Sequence, residues 1–182
     1  MKVVLREAIN EDASAVAGVL IASRQRFIPY APMAHSPSEV LTWVRDILIP
    51  SGGVTVACAP KVVVGVLATT QAEGVAWVDQ LYVLPGYIGK GVGSLLLEHS
   101  LSRLPRPVRL YTFQANVEAH RFYERHGFRV IALRCGSGGA DDPPLRSTLS
   151  ANKPISSGFQ PSGWLCFIAT FTQRVRGPCG SR

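Results

Sequence analysis

Apolar positions along the chain fall into short runs broken by Gly, Pro and Asn, and their spacing alternates between helical and strand periods. Val3–Ala8 reads as a short strand. Asn10 is placed to cap a helix running to about Ser23, with Val16, Val19, Leu20 and Ser23 on one face. Pro29, Tyr30 and Pro32 mark a loop. Ser36-Pro37-Ser38-Glu39 then combines a capping Ser, Pro at the first helical position and Glu three residues after the cap. Val40, Leu41, Val44, Ile47 and Leu48 make that helix's apolar stripe. Three strands follow at Val54–Ala59, Val62–Thr70 and Val75–Leu84, rich in β-branched and aromatic residues and joined by the turns Pro60-Lys61 and Gln71–Gly74. A helix from about Gly91 to Leu104 points Leu96, Leu97, Leu101 and Leu104 inward. Val108–Phe113 is a strand, Asn116 to His126 a helix with Ala119, Phe122 and Tyr123 on one face, and Phe128–Leu133 another strand. Gly127 suits the left-handed position that ends the helix. The order β-α-α-β-β-β-α-β-α-β predicts an α/β domain: a mixed sheet with helices on both faces.

Composition changes this picture at one end only. The chain has 182 residues, 47% hydrophobic and 17% charged, which excludes a wholly disordered polypeptide. Its net charge of +7 is unevenly spread. Residues 1–142 hold 14 Lys and Arg against all 12 acids, whereas residues 143–182 hold five cations and no acid. The basicity belongs to the tail, so nucleic acid is not an expected partner of the main body. Cys58, Cys135, Cys166 and Cys179 form no CxxC pair, and acids interrupt the N-terminus before any signal-like apolar run. Reduced thiols and a cytoplasmic location are expected. Trp164–Phe171, the apolar part of the tail, is too short to span a bilayer, and no membrane association is expected.

The candidate chemistry begins at Tyr82-Val83-Leu84-Pro85-Gly86-Tyr87-Ile88-Gly89-Lys90-Gly91-Val92-Gly93-Ser94, a strand entering a glycine-rich loop and then a helix. Glycines let backbone N–H groups approach an anion, and a helix start supplies further N–H groups and partial positive charge. A phosphate or pyrophosphate is the expected guest; a tight turn before a helix is the alternative. A dinucleotide fingerprint GxGxxG needs a third glycine where Ser94 stands, and no Lys completes GxxxxGK[ST]. No pair of histidines is spaced as metal ligands: His120 and His126 lie six apart and are expected to be solvated, so no metal is expected.

A second segment, Asn116-Val117-Glu118-Ala119-His120-Arg121-Phe122-Tyr123-Glu124-Arg125-His126-Gly127-Phe128, joins the first. Together they resemble the GNAT superfamily, the GCN5-related N-acetyltransferases, over roughly three-quarters of the chain. The resemblance implies an acyl-CoA N-acyltransferase fold over residues 1–134 and acetyl-CoA as cosubstrate. It implies that backbone groups of Leu81 and Val83 pair with the pantetheine arm, the Val83 N–H also polarising the thioester carbonyl. Gly89, Lys90, Gly91, Val92, Gly93 and Ser94 would hold the pyrophosphate and Asn116 the cofactor arm. Tyr123 would protonate the departing thiolate, core packing being its alternative. Asp79 is the best candidate for the base that deprotonates the amine, with a strand-end anchor as the equal alternative; Glu73 is weaker. Tyr30 and His35 border the acceptor side, while Trp77, Tyr82 and Tyr111 are expected to pack on the sheet. The acceptor would be an amine of a small molecule or peptide. A catalytically impaired acyl-CoA-binding protein of the same fold is the alternative function.

Two features depart from the family pattern. Ile88 stands where the loop commonly begins with Gln or Arg, so weaker cofactor binding is expected. Residues 135–182 form an atypical tail rich in Pro, Ser, Gly and Arg, read as foreign to the fold through a frame change or fusion. Trp164–Phe171 is the alternative: the tail's one candidate for the family's last strand, about thirty residues late. If no strand closes the sheet, its open edge leaves room for a homodimer.

Overall fold

A computed structural model describes residues 2–31, 33–134 and 146–151. Strand β1 (Val4–Glu7) leads through a 3-10 turn (Asn10–Asp12) into helix α1 (Ala13–Phe27). Helix α2 (Pro37–Trp43) runs on as a π turn over Val44–Leu48. Strands β2 (Val54–Ala59), β3 (Val62–Ala72) and β4 (Val75–Val83) form a meander. A 3-10 turn (Pro85–Tyr87), α3 (Val92–Leu101), β5 (Val108–Phe113), α4 (Val117–Arg125), β6 (Arg129–Arg134) and β7 (Arg146–Ala151) complete the described chain. The seven strands form one sheet in the order β1-β2-β3-β4-β5-β7-β6. Every neighbouring pair is antiparallel except β4 and β5.

Each face of the sheet has its own core. On one face Val16, Val19 and Leu20 of α1 and Val44 and Leu48 pack on Val56, Val66 and Tyr82. On the other, Leu96, Leu97 and Leu101 of α3 and Ala119, Phe122 and Tyr123 of α4 pack on Val64, Leu67, Leu81 and Leu110. Coverage on both sides explains why β3 is buried without alternation from Val63 to Ala68. Gly65 in β3 is where α3 comes closest: a Cβ there would lie 3.0 Å from both Leu96 Cδ1 and Val92 Cγ1.

The elements predicted from patterning form, with four corrections. Asn10 does not cap α1; it sits inside the 3-10 turn, and the Asp12 carboxylate accepts from the Ile9 N–H while pairing with Arg6. Ile47 is exposed rather than in the stripe of its helix. The cause is the π turn, in which the Ile49 N–H reaches back five residues to the Val44 carbonyl and rotates Leu48 inward instead. His126 is buried, not solvated.

The fourth correction concerns the last strand. Beyond residue 134 a strand does enter the sheet, and it is β7, inserted between β5 and β6 and antiparallel to both. It falls twelve residues after β6, well before Trp164–Phe171, which lies outside the described residues together with most of the tail. Ser147, Leu149 and Ala151 are buried on one face of it and Thr148 on the other. A strand whose inward face is one Leu, one Ser and one Ala carries little hydrophobic signal, which is why patterning passed over it. With β7 in place, β6 is the edge beyond β5. Among the described residues, no helix is long and apolar enough to cross a membrane.

Candidate functional site

The centre of the sheet is parted. The parallel ladder between β4 and β5 covers only Ala76–Val108, Trp77–Arg109 and Val78–Leu110, although β4 continues to Val83 and β5 to Phe113. The point of divergence coincides with a β-bulge. Against β3, Val78 pairs with Thr69 and Gln80 with Ala68, leaving Asp79 as the extra residue. A bulge bends its strand and adds local twist, which turns β4 away from β5. Leu81 and Val83 lie in the diverged part, their side chains buried in the α3–α4 core and their strand without a β5 partner at that level. Asp79 is half-buried at the start of the opening.

The glycine-rich loop stands at the end of β4. Gly89 and Gly91 adopt φ of 73° and 79°, left-handed conformations that side chains disfavour, and Gly91 is the residue from which α3 starts. The Leu95 N–H is the first to return to the Gly91 carbonyl, at 3.0 Å. The N–H groups of Val92, Gly93 and Ser94 therefore face away from the helix with no partner inside it, at the positive end of its dipole. The Lys90 ammonium lies 5.0 Å from the centroid of the Tyr87 ring, on the exposed side of the loop. Ile88 packs against the core on the α3 side, so the loop is anchored by burial at the position where the resemblance implies a polar residue.

Helix α4 brings two buried polar groups to this region. The Asn116 Oδ1 accepts from the Ala119 N–H at 3.1 Å and caps the helix. Its Nδ2 is buried and has no partner among the described residues. Tyr123, with 0% of its surface exposed, is held by the edges of Phe122 and Phe128 at 5.2 and 5.6 Å. Its hydroxyl also lacks a partner among the described residues. Burial pushes this phenol well above its ordinary pKa, and the neighbouring Tyr82 pushes in the same direction, so the proton is firmly held. On β5, Thr112 faces Ser147 of β7 across the ladder, and both hydroxyls are buried without a partner among the described residues.

The residues singled out from sequence divide in two. Asp79, Leu81 and Val83 lie where β4 has left or is leaving β5, the loop from Gly89 to Ser94 follows the end of β4, Asn116 follows the end of β5, and Tyr123 shares a buried core with Leu81 and Val83. Tyr30 meets the ring of Phe113, at the end of β5, edge-on at 5.9 Å. Glu73 stands apart: it sits in the β3–β4 turn, at the other end of β4 from the loop, on the order of 30 Å away along the strand. Trp77 and Tyr111 stack on each other at 5.0 Å across the last paired rungs, as sheet packing. His126 donates from Nδ1 to the Phe122 carbonyl at 2.9 Å, an assignment the carbonyl's acceptor-only chemistry fixes, and its Nε2 lies 3.6 Å from Glu98 of α3. Thr112, Ser147 and the Tyr82–Tyr123 proximity were not singled out in advance; hydroxyls on strands carry no spacing motif.

The family model for the acetyltransferase (GNAT) family matches residues 20–128, well over half of the chain. The chain belongs to the GNAT acetyltransferase family. Solved structures agree on the GNAT fold. Apo YjaB from Escherichia coli is 22% identical, with 82% of this chain and 97% of that chain covered and a TM-score of 0.64. PaiA N-acetyltransferase from Thermoplasma acidophilum, solved in complex with coenzyme A, is 19% identical over 84% and 100% of the two chains, with a TM-score of 0.62. The ribosomal-protein-S18-alanine N-acetyltransferase from Escherichia coli is 17% identical over 86% and 97%, also at 0.62. No curated protein sequence matches this GNAT chain significantly.

Proposed function

We propose that this GNAT protein transfers the acetyl group of acetyl-CoA to an amine of a small molecule or peptide by direct attack. The observation that carries the reading is the parallel ladder that stops at Val78 and Leu110 while both strands run on. A strand edge without a partner is a place for an extended, amide-bearing arm to pair as a further strand would. The residues around it fit that guest. Loop N–H groups from Gly89 to Ser94, with Lys90 beside them, suit a pyrophosphate. The Asn116 amide nitrogen offers a buried donor to the arm. Coenzyme A bound to the PaiA enzyme of the same fold supports the choice.

The division of work follows from placement. Leu81 and Val83 supply backbone hydrogen bonds to the arm, and the Val83 N–H polarises the thioester carbonyl. Asp79, at the bulge, takes the proton that the attacking amine must lose. Tyr123 gives its proton to the sulfur as the carbon–sulfur bond breaks. A phenol whose pKa is raised by burial is kept in the protonated form that this step requires. Holding the two reactants in register in a slot supplies much of the acceleration. The acceptor class rests between small amines and peptide amines; among proteins of this fold, one acts on the alanine of ribosomal protein S18. A cytoplasmic setting is proposed with it.

The test is release of free CoA thiol, with mass detection of acetylated product, on a panel of polyamines, amino acids and peptides with free N-termini. Product from any amine, sharply reduced in Tyr123→Phe, supports the reading. Binding of acetyl-CoA with no product from the panel would replace it with the alternative of an acyl-CoA-binding protein.

A further inference from the structure

A second concavity lies on the other side of β4 from the cofactor slot. It is a cleft of about 720 Å³ between α1 and the β2–β3 hairpin, within the range of about 300–1,000 Å³ typical of small-molecule sites. Its open apolar lining is Val62 of β3 and Leu84 at the root of the anion loop, with Val19 of α1 and Val63 of β3 buried beneath. Val62 keeps 47% of its surface exposed, an apolar strand residue left uncovered among the described residues. On the α1 side the wall is opened by Gly18, where an added Cβ would meet no atom within 4 Å.

The mouth carries positive charge. Arg6 is bonded to both oxygens of Asp12, at 2.6 and 2.8 Å, but the two members of the pair are not equally placed. The carboxylate is the buried member, at 10% side-chain exposure, and the guanidinium the open one, at 43%. Lys61, held in the hairpin turn at φ 66°, adds a second cation with no ion pair or hydrogen bond among the described residues. One acid against two cations leaves the lining one positive charge in excess.

From this combination we infer that the cleft is a binding site for a free aliphatic carboxylate, its chain against Val62 and Leu84 and its charge between Lys61 and Arg6. Each methylene buried on the apolar lining tightens binding about fourfold, so chain length tunes the affinity and the cations select the head group. The site is separate from the acetyl-transfer machinery and does not depend on that assignment. Its occupant touches Leu84, from which the anion loop departs.

Cys58, a free thiol in the lining, is a built-in reporter. The experiment uses the full chain with Cys135, Cys166 and Cys179 changed to Ser, and octanoate as the probe. The rate of Cys58 alkylation is measured against octanoate concentration, with octanamide and butyrate as controls for charge and chain length, and binding is measured in parallel by calorimetry. The expected result is saturable protection by octanoate, much weaker effects of both controls, and binding abolished in Gly18→Leu, which fills the open wall. Leu also has the higher helix propensity, so this variant should fold. Lys61→Glu, a surface change that leaves the core intact, should weaken octanoate about fivefold. Equal protection by octanamide, unchanged binding in both variants, or no protection at millimolar octanoate would each overturn the proposal.

Discussion

Two tasks converge on Asn116, and substitution separates them. Its Oδ1 caps α4 through the Ala119 N–H, whereas its Nδ2 is buried without a partner among the described residues and is proposed to donate to the cofactor arm. Asn116→Ser keeps a cap acceptor and removes the amide donor. Asn116→Ala removes both. Loss of a cap costs about 1 kcal/mol, which for a chain of 182 residues lowers Tm by roughly 2–4 °C. Loss of one neutral hydrogen bond to the cofactor costs about 1 kcal/mol of binding, or roughly fivefold in Kd. Thermal melts should therefore place Asn116→Ser within about 0.5 kcal/mol of the parent and Asn116→Ala clearly below it. Calorimetry should find both variants weakened to a similar degree toward acetyl-CoA. An unchanged Kd in Asn116→Ser would refute the assignment of the amide to the cofactor. An unchanged Tm in Asn116→Ala would refute the stabilising role of the cap.

Tyr123→Phe should lower kcat on the order of 10²–10⁴-fold with little change in Tm, because the hydroxyl it removes has no partner among the described residues; an unaltered kcat would remove Tyr123 from the acid role. Gly65→Val drives methyl groups into Leu96 and Val92 and should cost about 1–3 kcal/mol in urea melts, with weaker acetyl-CoA binding because Val92 opens α3. Burial lowers the His126 pKa from its ordinary 6.5, so the unfolded chain takes up this proton more readily than the folded one. Stability from this residue is therefore full above about pH 6.5 and declines as pH falls below it, and His126→Gln should flatten urea-melt midpoints in that range. The Asp12 carboxylate is lowered from 3.8 chiefly by its hydrogen bond from Arg6; its contribution is present above that value and lost at lower pH, so Asp12→Asn should be destabilised at neutral pH and less sensitive to further acid.

Much of the fold is legible because local signals agree with burial. Ser36 and Glu39 form the reciprocal cap that their spacing implies, at 3.3 and 2.7 Å, and Val108–Phe113 alternates and pairs over the expected residues. What escapes patterning is what depends on a neighbour. β7 is a strand because β5 and β6 offer it two edges, not because Ser147-Thr148-Leu149-Ser150 announces itself. The π turn that exposes Ile47 and the bulge that isolates Asp79 are one-residue slips of register, and both follow from packing on either side. The candidate site divides likewise. The glycine loop and the α4 segment carry motifs, so Gly89–Ser94, Asn116 and Tyr123 could be named in advance. The parting of β4 from β5, and the buried hydroxyls of Thr112 and Ser147 that face each other across β5 and β7, exist only once the sheet is assembled.

The most direct test of the account is calorimetric titration of the folded chain with acetyl-CoA, with ATP and NAD titrated separately. A slot between β4 and β5 served by a glycine cradle predicts saturable one-to-one binding of acetyl-CoA and at most weak heats from the two nucleotides. Absence of acetyl-CoA binding by a folded sample, or equal binding of ATP, would contradict the assignment of the slot.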